Sequence, residues 1–492
     1  MEDKPGRRAK SRARAFAMPR VQIMSRMPED PIEHVVWLML ENRSFDHVVG
    51  SLQKSISDID GVVSAAGPRQ NLDPEGRVYL QQPRAGARID PDPVHEMPNV
   101  LRQLADRNQG FVRDYAESHP RTTPAQRQEV MAYHDEGTLE AMHALAREFT
   151  VCDRWFASVP GPTWTNRLFA LSGTSLGRVK MPTGLFDLNL HRYAQDTIFD
   201  RLSAATPKRS WRIYYGDFPL TLLFAHQRTL KAGRHYAHMG HFAEDVGEAR
   251  ADADGFPEFV FIEPSYLWPS ANDDHPPHDV RRGQQLIAEV YRTLRANEAL
   301  WSSTLLVVTY DEHGGFYDHV NPSLVVPPER SVPPDAHREE FDFDQLGPRV
   351  PAVLASPWVG RRVEHEVFDH TSVLRYLIDK WSLGELGKRT AAAASIAVAL
   401  RTDALEREMP PGVVVPPAGR VRVAALPGPP PETLNDNQKA IVALSQVLEE
   451  TTVRLPADKV RRSMRLMRGA SEQLEVARDR AEQFLAERGA RV

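Results

Sequence analysis

Asp311, Glu312 and His313 stand in a row, followed by Gly314 and Gly315. Three ionisable groups at that spacing can do chemistry. Adjacent carboxylates repel each other, so both stay ionised most easily beside a cation. Ahead of them runs Leu305 to Val308, apolar and partly β-branched, the pattern of a strand covered on both faces. The two glycines let the backbone turn sharply at its end. Open α/β sheets bind ligands beyond the C-terminal ends of their strands, where this triplet would lie. An acidic turn after an edge strand is the plainer alternative. A second apolar run, His34 to Leu40, leads in the same way into Glu41, Asn42, Arg43, Ser44, Phe45, Asp46 and His47. Two strands far apart in sequence, each ending in a carboxylate, point to a site assembled at one edge of a sheet.

Further strands are expected at Phe149–Cys152, Trp211–Tyr215, Glu258–Ile262 and Val350–Ala355. Leu286, Ile287, Val290, Tyr291 and Leu294 recur at helical spacing after Asp279, a candidate N-cap. A helix leading into the strand at Leu305 is the βαβ arrangement, so the fold class is α/β, a mostly parallel sheet with helices on both faces.

Four blocks resemble the signatures of the phosphoesterase family, which holds phosphatidylcholine-preferring and non-specific phospholipases C and acid phosphatases. They are Glu41–His47, Pro160–Arg167, Asn272–His278 and Thr309–His319, in order within a span from about Ile32 to Leu383. The resemblance implies an alkaline-phosphatase-like sandwich. Carried over by motif, Glu41, Asn42, Asp311 and Glu312 resemble the family's metal ligands. Such an oxygen cage suits one hard divalent ion, Ca2+, Mg2+ or Mn2+. The nucleophile would be a hydroxyl beside that ion, which lowers its pKa.

Pro160, Gly161 and Pro162 form a tight turn before the helical pattern Arg167–Leu171, so a hydroxyl there faces a helix N-terminus. The resemblance places the nucleophile at Thr163. The plant-type motif Thr-Gln-Pro-Asn reads Thr-Trp-Thr-Asn here, which leaves Thr165 as a second candidate, with the N-cap of the helix as its other role. Asn166 would hydrogen-bond the phosphate. Of the 18 histidines, His275 in its Asp-rich, Pro-rigidified turn resembles the family's phosphate-facing imidazole. His95, within Asp90-Pro-Asp-Pro-Val-His95, resembles another. His278, His313, His319 and His370 are weaker candidates, and His313 can equally orient Glu312. Asp46 and His47 belong to the helix after the first motif.

A chain of 492 residues can bury a large core, and 41% hydrophobic with 26% charged residues is ordinary for a globular protein. A formal charge of −5 gives no reason to expect a polyanionic partner, so nucleic acid is not expected. Cys152 is the single cysteine, which excludes intramolecular disulfides. Residues 1–26 carry eight Lys or Arg against two acids without the apolar run of a secretory signal. They read as a basic arm over 1–30, with weak attraction to anionic lipid. A cytoplasmic or membrane-peripheral protein is the expectation, with export left open.

The catalytic domain is expected over 31–401. Within it Ser51–Asp90 reads as a polar surface excursion, 321–348 as a loop rimming the substrate, and Ala391–Leu400 as a short helix. Pro410, Pro411, Pro416, Pro417 and the cluster at Pro427–Pro431 mark a linker over 402–432. The tail, 433–492, reads as two helices divided at Pro456, each with one apolar stripe, packing on the main domain or on a second copy of the chain. Because every motif lies upstream of the linker, removing everything after Leu426 is expected to spare the catalytic constellation. The activity expected is phospholipase C-type cleavage of phospholipids through a phosphothreonine. Hydrolysis of small phosphomonoesters is the runner-up, and a non-catalytic binding or scaffolding role the third reading.

Overall fold

The computed structural model describes residues 30–182, 188, 193–249, 255–328, 341–400, 432–453 and 469–492. All but the last residue of the basic arm and nearly all of the proline-rich linker lie outside them. Eight strands form the central sheet: β1 (His34–Leu40), β2 (Thr150–Cys152), β3 (Trp211–Tyr215), β4 (Tyr236–His238), β5 (Phe259–Glu263), β6 (Thr304–Tyr310), β7 (Ala352–Ala355) and β8 (Arg362–Glu364). Their spatial order is β8-β2-β7-β6-β1-β5-β3-β4. Only β7 runs antiparallel to its neighbours.

The two strands that carry the acidic motifs lie side by side at the middle of the sheet. In β1 and β6 every residue is buried, which is why their sequences are continuous apolar runs rather than alternating ones. They pair in parallel register, Val36 against Leu306 and Leu40 against Tyr310, so Glu41 and Asp311 leave the sheet at the same level. The Asp311 N–H still donates to the Leu40 carbonyl at 3.1 Å. Register alone therefore places the two motifs together.

Each expected strand is present, with ends shifted by up to two residues. The edge strands β4 and β8 are three residues each, too short to leave a period in the sequence. The helix expected after Asp279 spans Val280–Ala296, and the Asp279 side chain accepts from Arg281 N–H as its cap. Ala391–Leu400, expected as one helix, is instead the end of a helix at Lys388–Ala392 and a 3-10 turn at Ile396–Ala399. The Ser395 hydroxyl captures the Ala397 amide and starts the chain afresh. The Ser51–Asp90 excursion carries a small hairpin, Gln70–Leu72 with Val78–Leu80, outside the main sheet.

The tail helices span Asp436–Val453 and Ala470–Ala486. Their stripes, with Ile441, Leu444, Leu448, Leu474, Phe484 and Leu485, are buried in the same hydrophobic core as the sheet. The tail thus packs on its own main domain. No helix among the described residues is long and apolar enough to cross a membrane.

Candidate active site

Asn42 is the junction of the site. Directly after β1 it takes a left-handed conformation, φ 59°, which asparagine tolerates better than most residues. Gly314, also left-handed at φ 64°, lies so close that a Cβ there would collide with the Asn42 carbonyl. This is what the first glycine after the acidic triplet permits: the loops after β1 and β6 touch. Asn42 N–H donates to Asp311 Oδ1 at 3.2 Å, and its side-chain nitrogen lies 3.2 Å from His95 Nε2. Its side-chain oxygen accepts from Thr163 Oγ1 at 3.1 Å.

Thr163 is the first residue of the helix Thr163–Ser172, and Pro162, not Thr165, holds the N-cap position. Thr165 sits inside that helix, buried, its hydroxyl without a hydrogen-bond partner among the described residues. Asn166, expected on the phosphate, is turned to its own loop. Its amide donates to the Gly161 carbonyl at 2.8 Å, and its oxygen accepts from Val159 N–H at 3.1 Å. It fastens the turn that presents Thr163.

The carboxylates are wholly buried. Glu312 Oε2 accepts from Gly314 N–H at 2.7 Å, while Oε1 has no hydrogen bond among the described residues and lies 3.8 Å from His95 Nε2. His313 Nδ1 lies 3.2 Å from Glu312, and its Nε2 lies 2.8 Å from Gln103 Oε1, so His313 stands behind the carboxylate rather than in the site. Arg167 reaches Glu41 Oε1 at 3.2 Å and Asp311 Oδ2 at 3.0 Å. Burial pushes both carboxyls up, Glu41 far, and the guanidinium pulls them back. Among the described residues, Glu41, Asp311 and Glu312 do not form a set whose oxygens all lie within 4.8 Å of one another. In place of the tight three-carboxylate cage expected from sequence, Glu41 and Asp311 share the Arg167 guanidinium.

His95 and His275 meet edge to face with ring centroids 5.6 Å apart. Burial opposes charge on His95, but Glu312 and Asp92 outweigh it and push the imidazole up to about 9. Burial pushes Asp92 up to about 7, against the pull of His95. Burial and the neighbouring His95 hold His275 well below the usual range. Its Nδ1 lies 2.5 Å from the Pro276 carbonyl, and its buried Nε2, without a hydrogen bond among the described residues, lies 3.8 Å from Asp92 Oδ2. Of the weaker candidates, His278 bonds Asp273 at 2.7 Å and His370 bonds the Asp311 carbonyl at 2.6 Å. A cavity of about 370 Å³ opens beside this cluster, with Asp90, Asp92, His95, Trp268, His278 and Asn435 in its wall.

The residues fit a hard divalent cation. The donors are carboxylate, amide and hydroxyl oxygens, and Glu312 Oε1 is a buried carboxylate oxygen with no hydrogen bond among the described residues, 3.8 Å from His95 Nε2. A second acidic group does not fit one. Asp46, Asp318 and His319 cluster, but Arg349 fills the cluster, 3.0 Å from Asp46 and 2.8 Å from Asp318. His319 bridges Asp46 at 2.8 Å and Asp60 at 2.9 Å. Burial opposes charge on His319, yet Asp46 pushes it up to about 9. A raised histidine stabilises the fold fully below its unfolded pKa of about 6.5 and loses that contribution as pH rises through about 9. Unfolding by urea should therefore show on the order of 2 kcal/mol less stability at pH 10 than at pH 6.5. His319→Gln should lessen that slope, the part left belonging to His95, and an unchanged slope would show the brace to be inert.

Two participants were not read from the sequence. Arg167 had a signal, a lone charge opening an apolar helical pattern. Asn437 had none. It comes from the tail, and its side-chain nitrogen donates to Glu41 Oε2 at 3.0 Å and Oε1 at 3.2 Å. The tail, expected to be dispensable for the constellation, touches it directly.

Several known proteins are similar to this chain in sequence. Non-specific phospholipase C5 of Arabidopsis thaliana is 35% identical over 351 residues, 67% of this chain and 64% of the relative. Non-specific phospholipase C3 of the same plant is 36% identical over 356 residues, again 67% and 64%. The non-hemolytic phospholipase C of Pseudomonas aeruginosa is 30% identical over 402 residues, 72% of this chain and 54% of the relative. The chain thus spans somewhat under two thirds of these relatives' length. Among solved structures, an alkaline phosphatase superfamily protein from Vibrio parahaemolyticus aligns with 67% of this chain and 70% of its own, at 11% identity and a TM-score of 0.32. That likeness carries no argument. The model of the phosphoesterase family, however, matches residues 32–384, which hold β1, β6, the Thr163 turn and every histidine of the site. The chain belongs to the phosphoesterase family.

Proposed function

We propose that the protein hydrolyses phosphoesters, cleaving the glycerol–phosphate bond of phospholipids in the manner of a phospholipase C. The observation that carries the reading is the Thr163 hydroxyl at the start of a helix, bonded to Asn42, whose side chain also meets His95. The relatives named as phospholipases C support the diester over the monoester. A phosphoester resists attack because its oxygens repel nucleophiles and its alkoxide leaves badly, so a site must supply a nucleophile, cationic cover and an acid.

Glu41, Asn42, Asp311, Glu312 and Thr163 would hold one divalent ion, which supplies Lewis-acid cover for the phosphoryl oxygens and lowers the pKa of the hydroxyl. Asn42 aims the Thr163 oxygen at phosphorus. The new Oγ–P bond forms as the bond to glycerol breaks, the Thr163 proton passing to an imidazole of the site and the leaving alkoxide taking a proton from that side. Water then attacks the phosphothreonine, releasing the phosphorylated headgroup and restoring the hydroxyl. His95, set against Asn42 and Glu312, and His275 beside it would bind the phosphate oxygens and move these protons. The cavity beside them takes the rest of the substrate. The catalytic unit is assigned to residues 31–401, with the tail 433–492 packed against it.

Purified protein should release diacylglycerol from phosphatidylcholine vesicles, lose turnover on EDTA treatment and regain it with Mn2+. Turnover of p-nitrophenyl phosphate with none of phosphatidylcholine would favour a phosphatase. No turnover of either would refute the reading.

A further inference from the structure

Asn437 lies outside the family-matched region, yet it makes the closest contact the tail has with the acidic loops. It is buried, and so is its partner Glu41. The local geometry is over-determined. Asn435 caps the tail helix, its Oδ1 accepting from Gln438 N–H at 2.7 Å, which fixes where the next two side chains point. Gln438 then anchors on the Tyr266 carbonyl at 3.4 Å. The indole N–H of Trp164 donates to Asn437 Oδ1 at 2.8 Å, which settles which end of the amide faces Glu41. The result is a chain of hydrogen bonds, Trp164 to Asn437 to Glu41, that begins one residue after Thr163. Behind it, Ala440, Ile441 and Leu444 are buried in the sheet's core, so the helix cannot withdraw without exposing apolar surface.

Glu41 needs such a contact. Arg167 pulls one of its oxygens toward Asp311, and a buried carboxylate with several acceptor sites is costly to leave half-bonded. The Asn437 amide donates across both oxygens and fixes the plane of the carboxylate. We infer that Asn437 is a positioning residue for Glu41, aimed by Trp164, so that the site is completed by a segment lying beyond the proline-rich linker. The inference rests on the proposed function for the role of Glu41, but not for the contact itself.

The test uses the full-length protein with Mn2+ as probe ion, its free fraction read by electron paramagnetic resonance, and turnover of a soluble short-chain phosphatidylcholine in parallel. Asn437→Ala should weaken Mn2+ binding about tenfold or more, the effect of one hydrogen bond to a charged group. It should lower kcat with little change in KM. Asn437→Asp loses the amide donor to Glu41 and should lower kcat as Asn437→Ala does. Trp164→Phe should act in the same direction, and should add little on top of Asn437→Ala, because both break one chain of bonds. A urea midpoint like the wild type's would show that the helix stays docked in these variants. Unchanged Mn2+ affinity and turnover in Asn437→Ala would reduce the tail to a cover and overturn the inference, and faster turnover would make it a plug. Wild-type protein inactive on every phosphoester would refute the proposed function alone, since the Mn2+ arm still reads the inference.

Discussion

Thr163→Ala should fold as the wild type does and lose turnover by about a thousandfold or more, while Mn2+ affinity falls far less. The change removes one oxygen and leaves Asn42 joined to Asp311 and His95. A variant lacking the attacking atom loses transition-state stabilisation, not ground-state binding, so the loss belongs in kcat. Thr163→Ser keeps the oxygen and should retain appreciable activity. Thr165→Ala should be mild, because its hydroxyl lies inside the helix with no partner among the described residues. Steady-state kinetics of the three variants decide it. Thr163→Ala within tenfold of wild type, or Thr165→Ala as damaging, would contradict the assignment.

Arg167→Met should be the most destabilising single change in the site. The guanidinium is buried and pairs two buried carboxylates, and its plane lies over the Tyr266 ring at 5.5 Å. Removing one partner from a buried ionic group leaves uncompensated charge, at a cost of about 3–5 kcal/mol. Arg167→Lys should recover only part of this, because an ammonium cannot fork between two carboxylates. Urea unfolding at neutral pH measures both, and a loss below about 1 kcal/mol in Arg167→Met would show that the carboxylates find another partner.

The central strands were legible because burial on both faces imposes an unbroken apolar run, as at Val35–Leu40 and Leu305–Val308. The meeting of Glu41 with Asp311 was legible once those runs were taken as neighbours, since parallel register puts their ends level. What sequence did not carry was side-chain direction. Asn166 reads as a phosphate ligand in its motif, but a short polar side chain near a tight turn finds backbone groups closer at hand. Arg167 was visible only as a charge, and its place between two acids depends on how a helix and two loops meet. Asn437 left no trace, since its contact with Glu41 spans 396 positions of sequence and rests on the docking of a tail helix. Edge strands of three residues and a helix broken by the Ser395 hydroxyl were lost for a simpler reason. They are shorter than the periods that would reveal them.

The claim on which the rest depends is covalent catalysis by Thr163. Rapid acid quench during turnover of a phospholipid labelled at phosphorus, followed by digestion and fragmentation of the labelled peptide, tests it most directly. The account predicts an acid-stable phosphoester on Thr163, its phosphorus still carrying the headgroup, that forms within the first turnover and decays as substrate is exhausted. Label on Thr165, or no labelled peptide from an enzyme that is turning over, would contradict it.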